Sequence, residues 1–239
     1  MGQGIAWVFG ATGGIGAAIV RALAQRDDMA IVHAGGRSEP KGSGKTRSFQ
    51  FDLTDEDSIA AAVEEMGQVA PDLVIVATGA LAFPDGAQPE KSMRAIQKDR
   101  MAEMFLLNTI GPALIGKHVL PALPRDRRSV FAVLSARVGS ISDNRLGGWH
   151  SYRASKAALN MLARNFAIEL RRTHPQAIVV ALHPGTVDTA LSRQFQRNLP
   201  EGQLTLPDEA AANLLRVIDG LSPADSGGLF AWDGAPIPF

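Results

Sequence analysis

Hydrophobic residues along this chain follow two alternating rhythms. Short, near-continuous apolar runs rich in Val, Ile and Phe recur between longer stretches whose apolar positions return every three or four residues. The short runs predict strands at Ile5–Phe9, Ala30–Ala34, Thr46–Phe51, Leu73–Ala77, Val130–Leu134, Ile178–Leu182 and Gly228–Trp232. The longer ones predict helices over Ile15–Gln25, Ser58–Met66, Lys98–Leu120, Ser151–Arg172 and Pro207–Gly220. Strands without an in/out alternation are buried on both faces, as in a parallel sheet covered by crossover helices. The expected architecture is α/β: one doubly wound domain over residues 1–239, with a mainly parallel seven-stranded sheet. Pro40–Lys45 and Pro84–Ser92 lack either rhythm and read as loops, and no internal repeat or heptad pattern is present.

Composition narrows the function classes. The 239 residues carry 24 basic and 24 acidic side chains, so no net charge attracts nucleic acid. Cysteine is absent, which removes disulfides, thiolate nucleophiles and zinc ribbons and fits a reducing compartment. No apolar run approaches the roughly 20 residues of a bilayer span, and no basic segment precedes a hydrophobic stretch at the N-terminus. A soluble, cytoplasmic protein is expected. None of His33, His118, His150, His174 and His183 has metal-ligand spacing, so no metal is expected; His150 is notable only for its closeness to Tyr152. Gly-x-Ser-x-Gly is absent, which disfavours an α/β-hydrolase.

The segment Gly10-Ala11-Thr12-Gly13-Gly14-Ile15-Gly16 lies between the first strand and the first helix. Glycines there allow a tight turn and close approach of backbone to a pyrophosphate, and the helix start presents free amides and a positive dipole end. Glycines are common in any strand-to-helix turn, but this one opens an alternating α/β chain, the context of a Rossmann-type dinucleotide site. The second strand leads to Gly35-Gly36-Arg37, where unphosphorylated dinucleotides usually meet an acid. A cation at that position favours a ribose 2′-phosphate, hence NADP(H) over NAD(H), with NAD(H) still possible and a solvated loop arginine as the plain alternative. Asp52, after the third strand, could accept from an adenine amino group or cap the next helix, although Thr54 and Asp55 stand closer to that cap.

The only tyrosine, Tyr152, has Lys156 four residues later, on the same helical face. An ammonium about 4 Å from a phenol is worth on the order of 4 kcal/mol at an effective dielectric of 20, about three pK units toward phenolate. Such a pair suits proton exchange during hydride transfer, although a surface Tyr–Lys pair has the same spacing. On the long preceding helix, Asn108 shares a stripe with Met101, Met104, Phe105 and Ile115, and Pro112 leaves the carbonyl of residue 108 without its helical donor. That carbonyl could hold a water that relays protons toward Lys156; a kinked helix with a satisfied asparagine is the alternative.

The glycine turn, Tyr152-Arg153-Ala154-Ser155-Lys156 and Pro184-Gly185 together resemble the short-chain dehydrogenase/reductase family. The likeness runs over essentially the whole chain, with motifs in family order. Val138–Ile141 and Tyr152–Asn160 are most similar to its C-factor-like branch, which includes carbonyl reductases and a cell–cell signalling factor. The resemblance implies Tyr152 as catalytic acid/base and Lys156 as holder of the nicotinamide ribose that lowers the tyrosine pKa, with Asn108 as third member. It implies cofactor contacts from Gly10, Thr12, Gly14, Ile15, Gly16, Arg37, Asp52, Leu53, Ala77, Gly79, Tyr152 and Lys156. Pro184, Gly185, Val187 and Thr189 match the segment that fixes the nicotinamide carboxamide.

Three positions depart from the family pattern. The family's catalytic serine, an oxyanion donor worth about 10²–10³ in rate, falls on Ala136. Ser135 is the favoured substitute and Ser140 the other. Phe9 stands where threonine is usual, and Val76-Ala77-Thr78-Gly79 replaces Asn-Asn-Ala-Gly. A substrate lid is expected over about 189–206, with Leu191, Phe195 and Leu199 offering apolar contacts. The helix over 151–172 is apolar on two sides, with Leu159, Leu162, Phe166 and Leu170 on one and Ala154, Ala158, Met161 and Ile168 on the other. A homodimer or homotetramer through the two long helices would bury the second side; a thicker monomer core is the alternative. The expected function is NADP(H)-dependent oxidoreduction of a small carbonyl or alcohol, without nucleic acid or membrane partners. A dinucleotide-binding sensor or signalling protein of little turnover is the rival, and a nucleotide-sugar epimerase, usually longer after this motif, the weaker one.

Overall fold

The structure, a computed structural model, describes residues 4–38, 42–83, 86–193, 196 and 204–239. Its seven-stranded sheet is built from β1 (Gly4–Phe9), β2 (Met29–Gly36), β3 (Thr46–Gln50), β4 (Leu73–Val76), β5 (Ser129–Leu134), β6 (Ala177–His183) and β9 (Leu229–Ala231). The strand order is β3-β2-β1-β4-β5-β6-β9, and every pairing in it is parallel. Order reverses between β1 and β4, so the carboxyl ends of these strands flank the crevice where doubly wound sheets bind ligands.

Both sheet faces are covered, which is why the strands read as continuous apolar runs. On one face Trp7, Phe9, Val74, Phe131 and Val179 pack with residues of α2 (Glu56–Met66), α4 (Gly111–Val119) and α5 (His150–Leu170). On the other, Val8, Ile75, Ala132 and Val180 meet Ile19 and Leu23 of α1 (Gly14–Gln25) and Leu214 and Ile218 of α6 (Pro207–Gly220). Asp55 caps α2 by accepting from the amides of Asp57 and Ser58, the role the sequence left open between it and Asp52.

Two features differ from the sequence pattern. The continuous helix expected over 98–120 is divided: α3 (Lys98–Phe105) passes through a wide π turn, Leu106–Ile110, into α4. Pro112 cannot donate to residue 108, and the Gly111 amide reaches back five residues to the Leu106 carbonyl. A second sheet of two parallel strands, β7 (Thr186–Val187) and β8 (Leu204–Thr205), is also present. Two-residue strands are too short for any hydrophobic period to reveal.

Candidate active site

The glycine turn forms a cradle in which side chains do not fit. A Cβ at Gly16 would lie 2.2 Å from the Gly10 carbonyl oxygen, and one at Gly10, which sits at φ +89°, would lie 2.9 Å from the Ala77 carbonyl. Gly13 starts α1 with no side-chain cap, and no acid occupies the first turn. The amides and the positive end of this helix are therefore free to face an anion. Across the crevice, a Cβ at Gly14 would fall 2.6 Å from Thr189 Cγ2, so the segment after β6 closes over the turn. A Cβ at Gly36 would meet Thr12 Cγ2 at 2.8 Å, which brings the end of β2 and Arg37 to the same cradle. Thr78, beside Gly10, has a buried hydroxyl without a hydrogen-bond partner among the described residues. This donor set fits a dinucleotide.

Other residues expected to touch a cofactor have local duties as well. Asp52 accepts from the Thr54 amide at 2.8 Å and hydroxyl at 2.7 Å, which, with the charge of Arg37, holds its carboxyl below the ordinary range. The Leu53 side chain is buried against Gly111, so only its backbone can face the crevice. Val187 is buried and its carbonyl accepts from Ser192. The Asp188 amide donates to Thr205 at 2.9 Å, pinning the start of the expected lid segment to its end. Leu191 is exposed; Phe195 and Leu199 lie outside the described residues.

Tyr152 and Lys156 occupy successive turns of α5, both buried. The Lys156 ammonium donates to the Leu134 carbonyl at the end of β5, 2.8 Å away. Asn108, fully buried in the π turn, accepts from the Ala80 amide and donates to the Ala80 carbonyl, each at 2.8 Å, and donates to Ser155 Oγ at 3.2 Å. Gly79 is the meeting point: a Cβ there would lie 3.0 Å from Asn108 Oδ1 and 3.3 Å from Lys156 Nζ. Sequence spacing could not show that Ala80 and Ser155 would occupy the asparagine's side chain and leave its main-chain carbonyl as the group for any water relay.

Two expectations about this corner need correction. The first is the tyrosine pKa. Burial pushes the Tyr152 phenol above its ordinary value, and the same burial pulls Lys156 down to about 8. Desolvation of each charged form outweighs the mutual effect anticipated from the spacing. The second is Ser135. It is buried and donates to Asn160 Oδ1 at 2.6 Å, tying β5 to α5, so its hydroxyl is not offered to a substrate. Ser140 is engaged too, donating to the Pro238 carbonyl. Ala136 instead shares a small buried cluster with Tyr152, Leu81, Phe83 and Met104, edged by Val138 and Trp149.

The approach to α5 contains a contact that the motifs did not reveal. Gly147, Gly148 and Trp149 are all left-handed, Trp149 at φ 49°, and the Trp149 ring stands edge-on to Tyr152 at 6.2 Å. The Trp149 amide donates to the Glu90 carbonyl at 2.5 Å. The Glu90 carboxylate, itself buried, accepts from the Ser151 hydroxyl and from the Ser151 amide at 3.2 Å. Burial would raise this carboxyl, but the donors at the helix start hold it below the ordinary carboxylate range. Nothing in the pattern around Pro84–Ser92 marks Glu90, because its partner lies 61 residues away.

Residues 4–200 match the family model described as short chain dehydrogenase. The chain belongs to the short-chain dehydrogenase family. It is 32% identical over 231 residues to 1-hydroxy-2-glutathionyl-2-methyl-3-butene dehydrogenase of Rhodococcus, covering 95% of this chain and 96% of that one. It is 39% identical over 140 residues to the C-signal of Myxococcus xanthus, covering 58% of this chain and 78% of that protein. Among solved structures, NADPH-bound carbonyl reductase from chicken fatty liver superposes with a TM-score of 0.83 at 28% identity, over 100% of this chain and 95% of that one. The carbonyl reductase Sniffer of Drosophila melanogaster gives 0.83 at 20% identity over the full length of both, a likeness of fold. This short-chain dehydrogenase is thus an oxidoreductase of a family that uses NAD(P). Among its described residues, no helix is long and apolar enough to cross a membrane.

Proposed function

We propose that this chain is an NADP(H)-dependent carbonyl reductase, exchanging a hydride and a proton with a small carbonyl or alcohol. The observation that carries the reading is the meeting of Asn108 and Lys156 at Gly79, with Tyr152 buried one turn before Lys156 on α5, at the edge of the glycine cradle. Gly10, Thr12, Gly14, Ile15 and Gly16 would hold the pyrophosphate against the start of α1. Arg37 would meet the 2′-phosphate, with the Asp52 carboxylate and the Leu53 backbone at the adenine, and Ala77 and Gly79 as further cofactor contacts. Pro184, Gly185, Val187 and Thr189 would fix the carboxamide. The bound dinucleotide supplies or accepts the hydride at the substrate carbon.

The chain's own residues handle the proton. A phenol held protonated by its burial has the proton that a carbonyl oxygen must receive in reduction. Lys156, anchored on the Leu134 carbonyl, holds the ribose and keeps a positive charge below about pH 8 beside the group that loses the proton. The main-chain carbonyl of Asn108 would hold a water that relays protons toward Lys156. NADPH in the chicken carbonyl reductase supports the cofactor assignment, as does Arg37 at the place of the usual acid.

Ala136 favours a second reading, a dinucleotide-binding sensor that turns over little. One experiment separates the two: NADPH and NADH binding by fluorescence, followed by NADPH oxidation with a panel of aldehydes, ketones and quinones. Carbonyl-dependent oxidation that Tyr152→Phe abolishes, with NADPH binding kept, supports the reductase. Tight binding with no turnover across the panel favours the sensor. Arg37→Ala should weaken NADPH by about 10-fold or more and leave NADH nearly unchanged, the loss of one charge-assisted phosphate contact. Equal weakening of both would remove Arg37 from cofactor choice.

A further inference from the structure

We infer that Glu90 is a positioning residue: a buried carboxylate that clamps the start of α5 and thereby sets Tyr152 and Trp149 against the substrate. The inference rests on the carbonyl reductase reading. α5 begins without a side-chain cap, at a tryptophan in the left-handed region that non-glycine residues rarely occupy. Something outside the helix must satisfy its first amides and fix this turn. Glu90 does both from a loop remote in sequence. Its main-chain carbonyl takes the Trp149 amide at 2.5 Å, and its carboxylate takes the amide, at 3.2 Å, and hydroxyl of Ser151. The three residues held or flanked by this clamp are Trp149, Ser151 and Tyr152.

The clamp is stiff. Glu90 is 5% exposed and Ser151 fully buried, so water cannot replace either partner cheaply. A carboxylate at a helix N-terminus also gains from the macrodipole, which a neutral cap would not supply in full. The far end of the same helix segment is fixed by Lys156 on Leu134 and Asn160 on Ser135. Tyr152 therefore sits between two anchors, one on β5 and one on the Glu90 loop. Releasing the second leaves the phenol free to tilt about the first. Displacement of a reacting group by about an ångström costs on the order of 10²-fold in rate, so the clamp belongs to turnover more than to cofactor binding.

The test compares the full-length chain with Glu90→Ala, Glu90→Gln and Ser151→Ala, each measured for NADPH affinity, for kcat and KM on the best carbonyl of the panel, and by NMR of ¹³Cζ-tyrosine. Tyr152 is the only tyrosine, so the last experiment gives one signal from the reacting group itself. Glu90→Ala should lower kcat about 10- to 100-fold with NADPH affinity within about twofold. It should also shift or split the tyrosine signal. Glu90→Gln, which can still receive the Ser151 amide, should restore both. Parallel loss of kcat and NADPH affinity without rescue by Gln would mean general destabilisation and overturn the inference, as would wild-type kcat with an unmoved signal. If Glu90→Ala fails to fold, Ser151→Ala decides: a severalfold fall in kcat with a moved signal supports the clamp, and no change in either overturns it. If the wild-type chain reduces no carbonyl, the reductase reading fails while the tyrosine signal still judges the clamp. Displacement in Glu90→Ala and return in Glu90→Gln support it, and a fixed signal defeats it.

Discussion

At the residue scale, the position that the sequence resemblance assigns to an oxyanion donor is Ala136, buried in the same small apolar cluster as Tyr152. The neighbouring Ser135 cannot compensate, because its hydroxyl already closes a buried bond to Asn160. Ala136→Ser should therefore place a new donor beside the phenol and raise kcat for carbonyl reduction by about 10-fold or more, a fraction of the 10²–10³ such donors supply elsewhere. Steady-state kinetics would check this, and an unchanged or lower kcat would show that the site does not use a hydroxyl there. The identity of residue 136 was legible in the sequence. The fate of Ser135 was not, since it depends on which side of β5 faces α5. The tyrosine's protonation is a similar case. Spacing alone pointed to a lowered pKa, but burial of both side chains sets the direction.

At the element scale, the candidate site is assembled where three elements converge: the turn after β4, the π turn between α3 and α4, and the first turns of α5. Gly79 measures how tightly they meet. It sits at φ +150°, and a Cβ would press on both Asn108 Oδ1 and Lys156 Nζ. Gly79→Ala should reduce kcat by about 10-fold or more by displacing Asn108 and Lys156 from their present positions, while circular dichroism shows the helices intact. Wild-type kcat in this variant would mean that turnover does not depend on where these two groups sit. The pattern that marked Asn108 as inward-facing, and Pro112 as a break, was visible in the sequence. The π turn was not, because a five-residue widening leaves the apolar stripe of a long helix almost unchanged.

At the scale of the whole molecule, one face of α5 remains open in the single chain. Leu159 and Leu170 are buried against the sheet, yet Met161 is 61% and Ile168 53% exposed. A separate cavity of about 600 Å³ lies between the ends of α4 and α5, lined by Leu120, Phe166 and His174. If a second copy of the chain covers the stripe of Met161 and Ile168, removing their apolar character should undo the assembly. Light scattering should give a dimer or tetramer for the wild type and a monomer for Met161→Glu with Ile168→Glu. A monomeric wild type would assign the stripe to the chain's own surface.

The sequence by itself determined the layer architecture, the parallel sheet, the glycine cradle and the Tyr152–Lys156 pair. Each of these rests on local regularities: hydrophobic period, glycines at a strand-to-helix turn, and the helical repeat that puts positions four apart on one face. Only the tertiary structure decided which polar groups remain available to a substrate. Asn108 spends its side chain on Ala80 and Ser155, Ser135 on Asn160, and Ser151 on Glu90. The partners in these four bonds lie between 25 and 61 residues apart. The physical reason is that a buried hydroxyl or amide must find a partner, and the identity of that partner is fixed by packing between elements that no local pattern records.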